Sequence, residues 1–129
     1  MRARLLTALL FVTAFGFSLG RAFCVEQTNR KERLTVHGRL TYYNGTPSCR
    51  IWIVGTKRLL GVSQSGDEMA YMPKRLRDLM SWDREIFADF VVEPLTTYKA
   101  GAMQMVRVVS AARIVVIEND KIALRKHKL

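Results

Sequence analysis

The sequence predicts a small, mainly β domain in which a single helix interrupts a series of short strands. Apolar and polar residues alternate with a period of two in several short segments, and Gly, Pro and Asn separate these segments. Only residues 73–82 show the spacing of an amphipathic helix. The chain has 129 residues, of which 49% are hydrophobic, which suffices for one packed domain and argues against general disorder.

The N-terminal segment has the pattern of an export signal. Two arginines precede an uncharged stretch, residues 5–19, which is shorter than the about 20 residues that a membrane-spanning helix needs. Gly20 and Ala22 then stand at the −3 and −1 positions of a cleavage site. We therefore predict a signal peptide at residues 1–22 and one domain at residues 23–129. Cleavage after Gly20 and an uncleaved membrane anchor are the alternatives.

The mature chain is predicted to be basic and to lie in the periplasm or outside the cell. Cleavage removes three arginines, so the formal net charge falls from +10 to +7. A positive surface favours anionic partners, for which we expect an envelope protein or an anionic surface. Export disfavours nucleic acid as a partner in the cell, and no transmembrane span remains after cleavage.

The cysteines predict a disulfide bond rather than a metal site. The chain has two cysteines, Cys24 and Cys49, and two histidines. Phe23 precedes Cys24, whereas lipoprotein attachment requires a small residue there. In an oxidising compartment an intramolecular Cys24–Cys49 disulfide is the simplest outcome, and two separate thiols are the alternative. No nucleotide-binding, zinc-protease or nucleophile-elbow motif occurs, so neither a metal nor a cofactor is predicted.

The first two strands are predicted to form a hairpin of defined register. Residues 33–43 and 48–54 alternate, and Asn-Gly opens the loop between them. Placing Leu40 opposite Ile51 puts the apolar residues of both strands on one face, whereas a longer loop would mix the two faces. The same register pairs Tyr43 with Ser48, Tyr42 with Cys49, and Gly38 with Ile53.

The remaining elements follow from the same signals. Pro73 suits the first position of a helix, and an apolar stripe of Leu76, Leu79 and Met80 follows it. Strands are predicted at residues 58–62, 86–93, 103–109 and 114–117, the last two being alternatively one long bent strand. We expect the basic C-terminal tail, residues 121–129, to fray.

This order of elements favours a small OB-like β-barrel. Three strands, a helix, and then two or three strands match a five- to six-stranded barrel with its helix between the third and fourth strands. A small β-sandwich is the alternative. No repeat or linker indicates a second domain.

Several segments resemble a family of small exported bacterial proteins to which no activity is assigned. The segments are TVHGRL at 35–40, RIW at 50–52, GTKRLLGV at 55–62, DFVVEPLT at 89–96 and MQMV at 103–106. The resemblance implies export and a common fold. It also implies that the positions of Glu93 and Arg107, often a cysteine pair in similar sequences, hold a cross-strand ion pair here.

One face of the predicted hairpin is the candidate binding site. The predicted register places five side chains together on the face opposite the core, namely His37, Arg39, Tyr43, Arg50 and Trp52. Aromatic rings interleaved with basic groups stack on planar ligands and bind anions. The alternative interpretation is that this face is covered and that Trp52 anchors the core.

The sequence therefore predicts an exported, non-catalytic binding or interaction module that favours an anionic partner. No catalytic residues are predicted. The alternative is a small periplasmic enzyme that uses His37, Asp89 or a carboxylate pair. A pocket that brings His37 within about 3 Å of a carboxylate would favour that alternative, because the two groups could then share a proton.

Overall fold

A computed structural model describes residues 32–63 and 71–129 of the chain. The predicted signal peptide, its cleavage site and Cys24 lie outside the described residues. The elements are β1 (Leu34–Tyr42), β2 (Cys49–Ile53), β3 (Leu59–Val62), α1 (Lys74–Arg77), β4 (Arg84–Pro94), β5 (Gln104–Glu118) and β6 (Lys121–Lys128). The prediction of a mainly β domain is confirmed.

All six strands belong to one sheet, in the order β3-β2-β1-β4-β5-β6. Neighbours in this order pair antiparallel. In addition, β3 pairs with the start of β5 in parallel, with Leu60 opposite Gln104 and Val62 opposite Val106. The pairings of the first five strands therefore return on themselves in a ring, while β6 lies outside the ring against the second half of β5.

The predicted register of the β1–β2 hairpin is confirmed. Leu40 lies opposite Ile51, and both side chains are completely buried. The core follows from this alternation, because every second residue of β1, β2 and β4 points to the same side. Gly38 lies in the middle of β1, where an added Cβ would come within 2.4 Å of a methyl group of Ile51. A side chain there would force neighbouring strands apart.

The predicted helix at residues 73–82 is wrong in length, because α1 is a single turn. Leu76 is completely buried, whereas Leu79 and Met80 only pack against the edge of the core. No side chain caps the N-terminus of α1. One buried side chain stabilises a single helical turn, but it supplies too little packing energy to extend the helix further. Within the described residues, no helix is long and apolar enough to cross a membrane.

The C-terminal end is a strand, so the prediction of a frayed tail is wrong. Asn119 and Asp120 both have positive φ, at 49° and 61°, and form the tight turn that connects β5 to β6. Leu124 lies opposite Val116 and Lys126 lies opposite Ile114. Basic residues are compatible with this edge position, since lysine on an edge strand discourages pairing with other chains.

Candidate functional site

The predicted site residues lie on the outer face of the β1–β2 hairpin. Alternation along β1 and β2 turns their side chains away from the core, and the pairing sets Trp52 opposite Arg39. Trp52 is half-buried on this face and does not belong to the buried core cluster. The structure therefore does not support the interpretation of Trp52 as a core anchor.

Four of the five residues are joined by direct contacts. The Arg39 guanidinium lies over the Trp52 ring, and the Arg50 guanidinium lies over the Tyr43 ring, each with its carbon 5.2 Å from the ring centroid. Arg39 Nη2 donates a hydrogen bond to the Tyr43 hydroxyl at 3.3 Å. The contacts therefore run without a break from Arg50 through Tyr43 and Arg39 to Trp52.

Polar contacts with the surrounding chain hold these side chains in place. Trp52 Nε1 donates to the carbonyl oxygen of Thr56 at 2.7 Å. Arg39 Nη1 donates to the Glu85 carboxylate at 3.1 Å, and Arg50 Nε donates to the carbonyl oxygen of Pro47 at 2.8 Å. The face is thus ordered before any partner arrives, which reduces the entropy lost on binding.

His37 belongs to a separate cluster on the same side of the sheet. Its Nδ1 lies 2.8 Å from Asp89 Oδ1, and Arg113 donates to the other oxygen of Asp89. The Arg113 hydrogen bond and then the His37 hydrogen bond hold the pKa of Asp89 below its usual value, and Asp89 in turn raises the pKa of Arg113. In the described part of the chain, no hydrogen bond or ring contact joins His37 to the other four predicted residues.

A third arginine–aromatic pair, Arg58 and Tyr98, was not predicted from the sequence. The Arg58 guanidinium lies 4.6 Å from the centroid of the Tyr98 ring. Both residues line each of two open grooves, the Pro94 groove of about 550 Å³ and the Met103 groove of about 470 Å³. Tyr98 lies in the loop between β4 and β5, and no periodic pattern in that loop points to Arg58.

Cys49, at the start of β2, is the cysteine that lies within the described residues. Cys49 is buried, and burial raises the pKa of its thiol to about 12 because it removes the thiolate from water. Its predicted partner, Cys24, lies outside the described residues, so the disulfide bond stays a prediction. Among residues 32–63 and 71–129, no group of three or more His, Cys, Asp or Glu side chains could hold a metal ion.

Glu93 and Arg107 lie opposite one another on β4 and β5. Arg107 donates to one oxygen of the Glu93 carboxylate, and Arg33 Nε donates to the other at 2.9 Å. These two bonds, the Arg107 bond first, hold the pKa of Glu93 below its usual value. An acid and a base therefore form the cross-strand ion pair expected at these positions.

Comparisons with known proteins add no family to this description. The sequence matches no protein-family model, and no curated protein or solved structure matches it. The fold and its outer face describe a small β domain with a basic and aromatic surface. Its function is therefore inferred from the geometry of these residues.

Proposed function

We propose that this chain is an exported, non-catalytic binding module whose outer β1–β2 face binds an anionic partner in the periplasm or outside the cell. The observation that carries the proposal is the unbroken series of contacts from Arg50 through Tyr43 and Arg39 to Trp52. The partner is an envelope protein or an anionic surface. The resemblance to exported bacterial proteins and the signal-like N-terminus support export.

We also propose that the domain is an OB-like barrel with an added strand. A ring of five strands with the order β1-β2-β3-β5-β4 and a helical turn between β3 and β4 supports this assignment. In this assignment β6 is an addition to the five-stranded unit. In a barrel the core lies inside the ring of strands, so the outer faces of β1 and β2 stay open to a partner.

The chemistry of the face suits carboxylates and other oxyanions. An arginine that stacks on an aromatic ring keeps its in-plane N–H groups available for hydrogen bonds. Glu85 and Tyr43 accept bonds from Nη1 and Nη2 of Arg39, and Arg39 Nε is buried. Arg50 Nη1 donates to no residue in the described part of the chain, so it is available to a carboxylate. Because mobile ions screen exposed charges beyond about 8 Å at physiological ionic strength, binding should be weak per contact and sensitive to salt.

The test compares two double variants that lose the same charge. We expect Arg39→Gln/Arg50→Gln to bind poly-L-glutamate about tenfold more weakly than wild type, because two weak ion pairs with the ligand can no longer form. The control, Arg75→Gln/Lys126→Gln, removes two exposed cations elsewhere and should bind within about twofold of wild type. Equal decreases in both variants, with unchanged melting temperatures, would show that net charge alone is responsible.

One observation favours the alternative of a small enzyme. The 2.8 Å contact between His37 and Asp89 would orient the imidazole as a general base. The contact lies on an open face, and neither residue lines either groove. If the pair is catalytic, His37→Asn should slow the hydrolysis of p-nitrophenyl acetate about 100-fold, the effect of losing a positioned base. We expect no such loss.

A further inference from the structure

We infer that the anion-binding face continues beyond Trp52 to the Arg58–Tyr98 pair, and that it receives an extended acidic peptide whose carboxylates alternate with apolar side chains. The inference rests on the proposed function, because it takes the β1–β2 face to bind anions. We name the whole surface the arginine–aromatic track. It consists of Arg50, Tyr43, Arg39, Trp52, Arg58 and Tyr98.

The β2–β3 turn connects the two parts of the track. Thr56 accepts the Trp52 indole hydrogen bond at its carbonyl oxygen, and its hydroxyl oxygen accepts a bond from the Arg58 backbone at 3.0 Å. Trp52 also lies opposite Leu59 in the β2–β3 pairing, and Leu59 lines the Met103 groove. The β1–β2 face and the groove are therefore neighbouring parts of one surface.

The track is too long for a single small anion. Arg50 and Trp52 are two residues apart on one strand, about 7 Å along its axis. The face then crosses from β1 to β3, which spans two strand spacings, or about 10 Å. Three arginine–aromatic pairs spread over these distances suit a ligand with several charged groups along an extended chain.

Arg58 is positioned to receive one carboxylate of such a chain. Its Nη2 donates to the side-chain oxygen of Gln104. Gln104 is buried, and its side-chain nitrogen donates to the Thr96 carbonyl oxygen at 3.0 Å. Tyr98 covers one face of the guanidinium. Within the described part of the chain, Arg58 Nε and Nη1 donate to no residue, so these in-plane N–H groups are available to a carboxylate.

Parts of the groove walls suit the apolar side chains of a peptide. Leu34, Pro94 and Leu95 line the Pro94 groove, while Leu59 and Met103 line the Met103 groove. Such walls stabilise apolar side chains, and Arg58, which lines both grooves, lies beside them to bind the carboxylates between those side chains. Each groove has the volume of a typical small-ligand site and is large enough for a side chain.

The stacking geometry disfavours single-stranded nucleic acid as the occupant, and the positive charge suits an acidic peptide. Bases bind proteins by stacking on aromatic faces. An arginine already covers one face of each aromatic ring of the track. Lys57 lines the Met103 groove and adds a cation to the three arginines. Among the described residues, the carboxylates that contact the track or line its grooves are those of Glu32 and Glu85.

The test uses fluorescein-labelled ten-residue peptides and fluorescence anisotropy with protein purified from the full-length sequence. One peptide alternates Leu and Glu, a second has Gln for each Glu, and a third has Ser for each Leu. We expect the Leu-Glu peptide to bind at least tenfold more tightly than either of the others. Arg58→Gln and Tyr98→Ala should each weaken its binding about tenfold, whereas Arg75→Gln should leave it unchanged.

The outcomes separate this inference from the proposed function. If Arg58→Gln and Tyr98→Ala bind like wild type while Trp52→Ala binds weakly, the track ends at Trp52 and only the inference is wrong. If Trp52→Ala also binds like wild type, both are wrong. Tighter binding of an eight-nucleotide oligothymidylate or of trigalacturonic acid would overturn the peptide assignment. Tyr98→Ala changes an exposed loop side chain, so it remains informative if Arg58→Gln does not fold.

Discussion

Adjacent residues of β2 have opposite roles because their side chains lie on opposite faces of the sheet. Ile51 is completely buried in the core, while the next residue, Trp52, lies on the outer face with Arg39 above its ring. Stability and binding should therefore be separable by substitutions only one position apart.

We expect Trp52→Ala to weaken binding to poly-L-glutamate about fivefold, because its ring supports Arg39. It should lower the free energy of unfolding by about 1–2 kcal/mol, the loss of a partly buried ring and one hydrogen bond. Ile51→Ala should cost about 2–5 kcal/mol because it leaves a cavity in the core. Urea denaturation measures both values. A Trp52→Ala loss as large as that of Ile51→Ala would place Trp52 in the core.

Asp89 should make stability depend on pH. Arg113 and His37 favour its charged form, so the pKa of Asp89 is lowered in the folded protein. The stabilisation is present above the ordinary pKa near 4 and is lost as the pH falls through the lowered value. Asp89→Asn should therefore lower the melting temperature by about 4 °C at pH 7 and have little effect near pH 2.

The control for Asp89 is Asp83→Asn, which changes an exposed carboxylate near the start of β4. Its melting temperature should follow that of wild type at every pH. A constant difference between Asp89→Asn and wild type from pH 2 to pH 7 would contradict the assignment, because it would be independent of the carboxylate's charge.

The sequence was informative about residues within one hairpin and uninformative about residues joined by distant loops. Period-two alternation was enough to place Arg39 and Trp52 side by side, because both belong to one antiparallel pair. Arg58 and Tyr98 are 40 positions apart and meet through a nine-residue loop, residues 95–103. Nothing in the local pattern of either segment encodes that contact.

At the level of elements, strands were predictable where burial alternates and less so where it does not. The alternation in β1 and β4 corresponds to alternating burial in the structure. In β5 a residue with positive φ, Arg113, lies where the pairing with β4 shifts register, and this irregularity made one strand look like two. In β6 almost every residue is exposed, so its pattern did not reveal a strand.

The facing positions of Glu93 and Arg107 should accept a disulfide bond. Residues that lie opposite each other on antiparallel strands have Cα atoms about 4.5–5.5 Å apart, which overlaps the range of disulfide bonds. We expect Glu93→Cys/Arg107→Cys, in a Cys24→Ser/Cys49→Ser background, to form an intramolecular bond on oxidation. Thiol titration should then detect no free thiol without reductant.

The control for this pair is Glu93→Cys/Val109→Cys in the same background. Val109 lies two positions beyond Arg107, away from Glu93 along β5. This variant should retain two reactive thiols. Equal oxidation of both variants would contradict the register of β4 and β5. The ion pair between Glu93 and Arg107, which the resemblance implied, depends on the same register.

At the scale of the whole molecule, the closing contact of the ring was invisible in the sequence. β3 and β5 are parallel and far apart along the chain, so no turn signal links them. Gly61 allows the close approach, since an added Cβ would lie 2.7 Å from both the Met105 sulfur and a ring carbon of Pro47. Such contacts are specified by three-dimensional packing, which local alternation does not report.

The ring of five strands should fold and bind without β6. A chain that ends at Asp120 loses four positive charges and the partly buried side chains of Leu124 and Leu129. We expect it to unfold cooperatively, with a free energy of unfolding reduced by about 1–3 kcal/mol for the lost apolar burial. Its affinity for the Leu-Glu peptide should stay within about twofold of wild type, since the track lies on other strands. Circular dichroism and fluorescence anisotropy measure these quantities.

A tenfold loss of affinity in a folded truncated chain would mean that the partner recognises the basic tail, and that the arginine–aromatic track is not the main contact surface.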